Sequence, residues 1–180
     1  MTSLTQFPIP LLGFAAFSGT GKTTLIEQLI PLLIEQGLRI ALVKHSHHDI
    51  EMDEPGKDSY RLRKAGASQV VLAGTHRSIC FHEHQQAHDS QLSEQLTLLD
   101  IACLDLVLVE GYRDQAFPKI ELHRSMLEKP FMYPYDTNIV ALVCDQHVDN
   151  DELPLFDFTQ LQQLVTFILK RIVSPTLYPL

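Results

Sequence analysis

Along this chain, short apolar runs alternate with stretches whose apolar residues recur every three or four positions. Residues 9–17, Ile-Pro-Leu-Leu-Gly-Phe-Ala-Ala-Phe, carry the pattern of a parallel strand buried on both faces. Helical spacing follows over residues 21–36, with Leu25, Ile26, Leu29, Ile30, Leu32 and Leu33 apolar and Gly37 as the stop. Pro31 removes one backbone hydrogen bond inside that stretch and crowds the Glu27 carbonyl, so a kink is expected rather than a break. Residues 38–44 read as the next strand and run into a polar loop over 45–57. Asp58 looks like the N-cap of a short helix over 59–65, closed by Gly66.

Strands are expected at 69–73, 78–82, 105–111, 119–123 and 138–144. A His- and Gln-rich loop separates the second of these from a helical period over 90–100. Leu161, Leu164, Val165, Ile168, Leu169 and Ile172 form one stripe of a final helix over 158–173. Apolar strands alternating with helices predict an α/β fold, a mainly parallel β-sheet with helices on both faces. At 180 residues and 45% hydrophobic composition, a single globular domain with a short tail at 174–180 is expected.

Charge narrows the choice of partners. The formal net charge of −8 speaks against broad nucleic-acid binding through a basic face. Lys57, Arg61, Arg63 and Lys64 are a local exception, suited either to steering a phosphorylated ligand or to a solvated helix face. No apolar stretch is long enough to span a membrane, and the first apolar run has no basic segment before it, so no signal peptide is expected. Cys80, Cys103 and Cys144 show no metal-type spacing and read as reduced, buried thiols of a cytoplasmic protein.

The chemistry is concentrated between the first strand and the first helix. Ala16-Phe17-Ser18-Gly19-Thr20-Gly21-Lys22-Thr23-Thr24 reads as a phosphate-binding loop of the P-loop NTPase class, in the strand–loop–helix context the motif requires. Backbone N–H groups of Gly19, Thr20, Gly21 and Lys22, beside Ser18, can converge on phosphate at a helix N-terminus. Lys22 would add charge at the β- and γ-phosphates, Thr23 would hold Mg²⁺, and Thr24 would reach the α-phosphate. The usual first glycine is Ala16, a position that tolerates a side chain if the strand runs straight into the loop.

Such a site needs an acid at a neighbouring strand end, and Glu110, after Leu-Val-Leu-Val and before Gly111, fits. Lys44-His45-Ser46-His47-His48-Asp49 leaves the second strand at the same edge. It is suited to a polar wall facing phosphate or a second substrate, or to a transition metal; Asp49 is read as a group orienting water or acting behind Mg²⁺, or as solvent-exposed.

Taken with Gly56-Lys-Asp-Ser-Tyr-Arg-Leu-Arg-Lys-Ala-Gly-Ala67, Leu104-Asp-Leu-Val-Leu-Val-Glu-Gly-Tyr112 and Pro118-Lys-Ile-Glu-Leu122, these motifs resemble the MobB family over residues 11–145. Members of that family are P-loop adaptor proteins of molybdopterin guanine dinucleotide synthesis. The resemblance implies a cytoplasmic GTP-binding homodimer with weak Mg²⁺-dependent GTPase activity, a MobA-type guanylyltransferase as partner, and contact with the molybdopterin cofactor. It assigns the nucleotide site to Gly19, Gly21, Lys22, Thr23 and Glu110, together with His47, His48 and Asp49 of the histidine loop.

Two other classes share the motif. A small-molecule kinase needs an arginine-bearing lid, whereas residues 80–91 contain neither Arg nor Lys. A metallochaperone GTPase would use the histidine loop. The N-K-x-D base-reading motif is absent, and Asp145, after the 138–144 strand, is suited either to accepting guanine N1–H and N2–H₂ or to capping its own loop.

Overall fold

The central apolar runs have no polar face because both of their faces are covered. In the computed structural model, which describes residues 4–46, 50–86, 88–150 and 152–173, the chain begins β1 (Leu11–Ala16), α1 (Lys22–Glu35), β2 (Ile40–Lys44), α2 (Asp58–Lys64), β3 (Gln69–Ala73) and β4 (Ser78–His82). It continues α3 (Leu92–Leu96), β5 (Leu106–Glu110), β6 (Lys119–His123), β7 (Ile139–Cys144), β8 (Leu155–Phe156) and α4 (Leu161–Ile168). Six strands form one sheet in the order β2-β5-β1-β6-β7-β8, and every neighbouring pair is parallel. β1 lies between β5 and β6, so the glycine loop leaves the middle of the sheet's C-terminal edge.

The two-residue period of the strands sorts their side chains into two layers. Leu12, Phe14, Leu106, Leu108, Ile120, Leu122, Ala141 and Val143 pack with Leu25, Leu29 and Leu33 of α1 and Leu164 and Ile168 of α4. Leu11, Val107 and Val109 pack on the opposite side with Phe117 and with Leu92 and Leu96 of α3. This second layer is thinner, and loops complete it. Gly13 shows how tightly: a Cβ there would lie 2.5 Å from Phe117 and 2.7 Å from Lys119 Cγ. Gly13→Ala is therefore expected to destabilise the protein by about 1–3 kcal/mol through overpacking, read as a lowered denaturant midpoint.

α1 runs as one helix through Pro31. Two helices are shorter than their apolar period implied. Of residues 90–100 only Leu92–Leu96 is α-helical, because the Thr97 hydroxyl donates to the Glu94 carbonyl and Asp100 caps a separate 3₁₀ turn at Ile101–Cys103. The last helix begins at Leu161 rather than at residue 158, because Asp157 accepts from both the N–H and the hydroxyl of Thr159 and forms its own turn. α4 then widens into a π turn at Leu169–Val173. All three cysteines are free, but only Cys144 is buried; Cys80 and Cys103 are exposed, which corrects the expectation of buried thiols.

Residues Ser46–Ser90 form a second compact unit, containing α2 and the antiparallel hairpin β3–β4. Arg63 of α2 is buried there rather than offered to a ligand. It pairs with Glu51 and Glu83, stands 3.5 Å from Asp53, and lies over the Phe81 ring at 4.5 Å. Arg61 and Lys64 pair with Asp58 and Glu51 at 3.6 and 3.7 Å. These three basic side chains of α2 are thus engaged by carboxylates of their own unit. No helix among the described residues is long and apolar enough to cross a membrane.

Candidate functional site

Gly19 and Gly21 have φ of +84° and +89°, left-handed values that favour glycine, whereas Ala16 ends β1 without needing one. Its departure from the usual first glycine therefore costs nothing. Thr20 is buried, and its hydroxyl donates to the Phe17 carbonyl at 2.9 Å, closing the loop on itself. The first helical bond runs from Leu25 N–H to Gly21 C=O, at 3.0 Å. The N–H groups of Lys22, Thr23 and Thr24 thus have no intrahelical acceptor, and they lie where the helix dipole favours an anion. Ser18, Gly19, Thr23 and Thr24 are exposed around this mouth.

Glu110 ends β5 with the same parity as Leu106 and Leu108, which pack with α1, so its carboxylate points to the side where α1 begins. Glu110 Oε1 is 3.8 Å from Lys22 Nζ. Its other oxygen is 3.3 Å from Lys44 Nζ, because the β2–β5 register sets Lys44 directly against Glu110. A lysine–carboxylate–lysine row therefore lies at the glycine loop. Gly111, at φ +102°, lets the chain leave this point, since a Cβ there would stand 2.5 Å from that of His45. His45 stacks on Tyr112 at 4.5 Å. The donors available to a cation, the Thr23 hydroxyl and the Glu110 carboxylate, are hard oxygens of the kind Mg²⁺ takes together with phosphate and water.

On the other side of β1 the loops after β6 and β7 meet. Asp145 Oδ1 accepts from Ser125 N–H at 2.8 Å, and Oδ2 is 3.5 Å from Arg124 Nη1. The Ser125 N–H, with Arg124 beside it, holds the Asp145 carboxyl below its ordinary range, so it is an ionised acceptor at neutral pH. Arg124 also donates from Nε to the Thr20 carbonyl at 3.3 Å and lies over the Phe158 ring at 3.4 Å.

The Pro-Lys-Ile-Glu-Leu motif builds the frame beneath these loops. Lys119 Nζ is buried and donates to the Arg113 and Gln115 carbonyls at 2.5 and 2.9 Å, with Asp136 at 2.6 Å. Glu121 accepts the N–H groups of Met132 and Tyr133, each at 2.8 Å; burial pushes its carboxyl up, against those two hydrogen bonds. His123 bonds the Lys129 carbonyl at 2.8 Å and stacks on Phe131. These alternate residues fasten the 124–136 segment that carries Arg124 and Ser125.

The structure thus brings Lys22 and Glu110 together and places Asp145 on the other side of the loop. Asp49, His47 and His48 lie outside the described residues. The Lys44–Glu110 pairing and the role of Arg124 are not visible in the sequence. Lys44 was visible as the last residue of a strand, and Arg124 as the residue after one.

The sheet order, the glycine loop and the acidic strand end define a P-loop NTPase fold. The family described as MobB, molybdopterin guanine dinucleotide synthesis protein B, matches residues 11–145. The molybdopterin-guanine dinucleotide biosynthesis adapter protein of Escherichia coli K12 is 40% identical over 163 residues, 90% of this chain and 93% of that one. Its Haemophilus influenzae namesake is 40% identical over 161 residues, 89% of this chain and 88% of that one. A crystal structure of molybdopterin-guanine biosynthesis protein B shares the fold with a TM-score of 0.69 and 27% identity, covering 89% of this chain and 98% of that one. The chain belongs to the MobB family.

Proposed function

We propose that this protein is a GTP-binding adaptor in molybdopterin guanine dinucleotide biosynthesis, assisting a MobA-type guanylyltransferase in the cytoplasm. The observation that carries the reading is that the family match, residues 11–145, begins at β1 and ends at Asp145, and so takes in the glycine loop, Glu110 and both loops beside it. The adaptor designation shared by the relatives favours this reading over a kinase or a metallochaperone.

In this reading the amides at the start of α1 and the Lys22 ammonium hold the triphosphate, and Lys44 adds charge near its terminal end. Thr23 and Glu110 hold Mg²⁺, directly or through water, and the ion neutralises charge on the β- and γ-oxygens. Asp145 accepts the two guanine donors, N1–H and N2–H₂. Lys22, Lys44 and Glu110 stabilise charge, but none of them is placed as a water-activating glutamine, so hydrolysis is slow. Asp49 is assigned the role of orienting water or acting behind Mg²⁺.

β2 ends the sheet and leaves Leu42 44% exposed, which suits pairing between two copies and supports a homodimer. Molybdopterin would meet this protein in the complex with the transferase.

Mixing the protein with guanylyltransferase, GTP and molybdopterin is expected to raise the yield of the guanine dinucleotide cofactor several-fold above the transferase alone. The protein alone is expected to transfer nothing to a small acceptor. No stimulation, with GTP binding intact, removes the adaptor reading; robust phosphoryl transfer by the single protein replaces it with a kinase.

A further inference from the structure

Glu110 and Lys44 lie on the β5 side of the glycine loop and the Lys22 ammonium reaches toward Glu110, so the terminal phosphates of a bound nucleotide point toward β5 and β2. The nucleoside must then leave the loop on the opposite side, toward β6 and β7. There the β6–β7 register pairs Leu122 with Val143 and His123 with Cys144, which makes Arg124 and Asp145 the next pair in line. Both continue the parity of Leu122 and Val143, the face packed by α1 and α4.

Arg124 is unusually constrained for a side chain that remains 32% exposed. Phe158 fixes the guanidinium from one face at 3.4 Å, the Thr20 carbonyl takes Nε–H, and Asp145 stands beside Nη1. An exposed ion pair alone gains too little to need such alignment. What the alignment does achieve is a donor fork and an ionised acceptor, side by side and partly open to solvent, at the edge of the phosphate loop.

Guanine presents the complementary edge. Its N7 and O6 accept, and its N1–H and N2–H₂ donate, in unbroken order around the ring. A guanidinium reads the first two as a bidentate pair, and a carboxylate reads the second two. Adenine places a donor at position 6 and an acceptor at N1, so each would face its own kind. We infer that Arg124 is a second specificity-determining residue of the site, reading guanine O6 and N7 beside Asp145, with Phe158 as the positioning residue that sets the plane of its guanidinium. The inference rests on the GTP reading of the glycine loop.

The test is competition binding of GTP, ATP and 7-deaza-GTP, which lacks the N7 acceptor, to the full-length wild type and to Arg124→Met and Arg124→Lys. The wild type is expected to prefer GTP to both other ligands. Arg124→Met should lower GTP affinity roughly 5- to 150-fold, the range for one bidentate base contact. The distinction between GTP and 7-deaza-GTP should then vanish. Whatever the substitution does to the loop through Thr20 cancels in that ratio. Arg124→Lys, which keeps the charge but not the fork, should restore only part of the discrimination.

A wild type indifferent to N7, or a penalty that survives in Arg124→Met, overturns the inference while leaving GTP binding in place. Failure of the wild type to bind any nucleotide or tripolyphosphate removes the GTP reading itself, and this inference with it.

Discussion

Lys22→Ala is expected to lower affinity for guanine nucleotides by roughly 150- to 20,000-fold while leaving the fold intact. The estimate follows from losing about two charge-assisted contacts to phosphate oxygens, each worth about 1.5–3 kcal/mol. The fold should tolerate the change for two reasons. Lys22 is the first residue of α1, where alanine propagates a helix at least as well as lysine. Its partner is not orphaned either, because Glu110 keeps Lys44 at 3.3 Å. Titration with a fluorescent GTP analogue, alongside the circular dichroism spectrum and thermal midpoint, tests both halves. Undiminished affinity in a folded variant would remove the glycine loop from the function.

The local half of this site was legible in the chain. The loop from Ser18 to Thr24, the strand before it, the helix after it and the acid at Glu110 all carry their meaning within a few neighbours. Several strands were readable to the residue, including Gln69–Ala73, Ser78–His82 and Lys119–His123. The parallel sheet with helices on both faces followed from the alternation of apolar strands and helices.

What escaped was register and long-range closure. Lys44 meets Glu110 only because β2 pairs with β5 in one register, and a strand's own period carries no information about its partner's. On β6 the polar positions Lys119, Glu121 and His123 alternate with apolar ones, the pattern of a strand with one wet face. All five residues are nevertheless buried, because the loops at 113–115 and 129–136 wrap back and supply the hydrogen bonds. Arg63 misled in the same way: its carboxylates come from two other stretches of the chain, Glu51 with Asp53 before α2 and Glu83 after β4. Arg124 finds its aromatic neighbour, Phe158, far along the sequence. β8, two residues long, is too short for any periodicity to show.

Glu110→Gln is expected to separate two roles of that carboxylate by giving effects of opposite sign. Glu110 is only 9% exposed and lies within 3.8 Å of Lys22 and 3.3 Å of Lys44, so it partly neutralises the two cations nearest the phosphates. Without Mg²⁺ a bound triphosphate competes with this carboxylate for both ammonium groups. The neutral amide ends that competition, and Mg²⁺-free affinity should hold or rise. With Mg²⁺ the balance reverses, because the amide lacks the charge that anchors the ion or its water. The gain in affinity on adding Mg²⁺ should then shrink by roughly 10- to 150-fold, corresponding to one charge-assisted contact of about 1.5–3 kcal/mol. The slow hydrolysis should fall with it. Both lysine side chains are partly open to water, at 22% and 55% exposure, so the variant is expected to fold. Nucleotide titrations with and without Mg²⁺ decide the matter: equal losses in the two conditions would mean that Glu110 orders the loop rather than the ion.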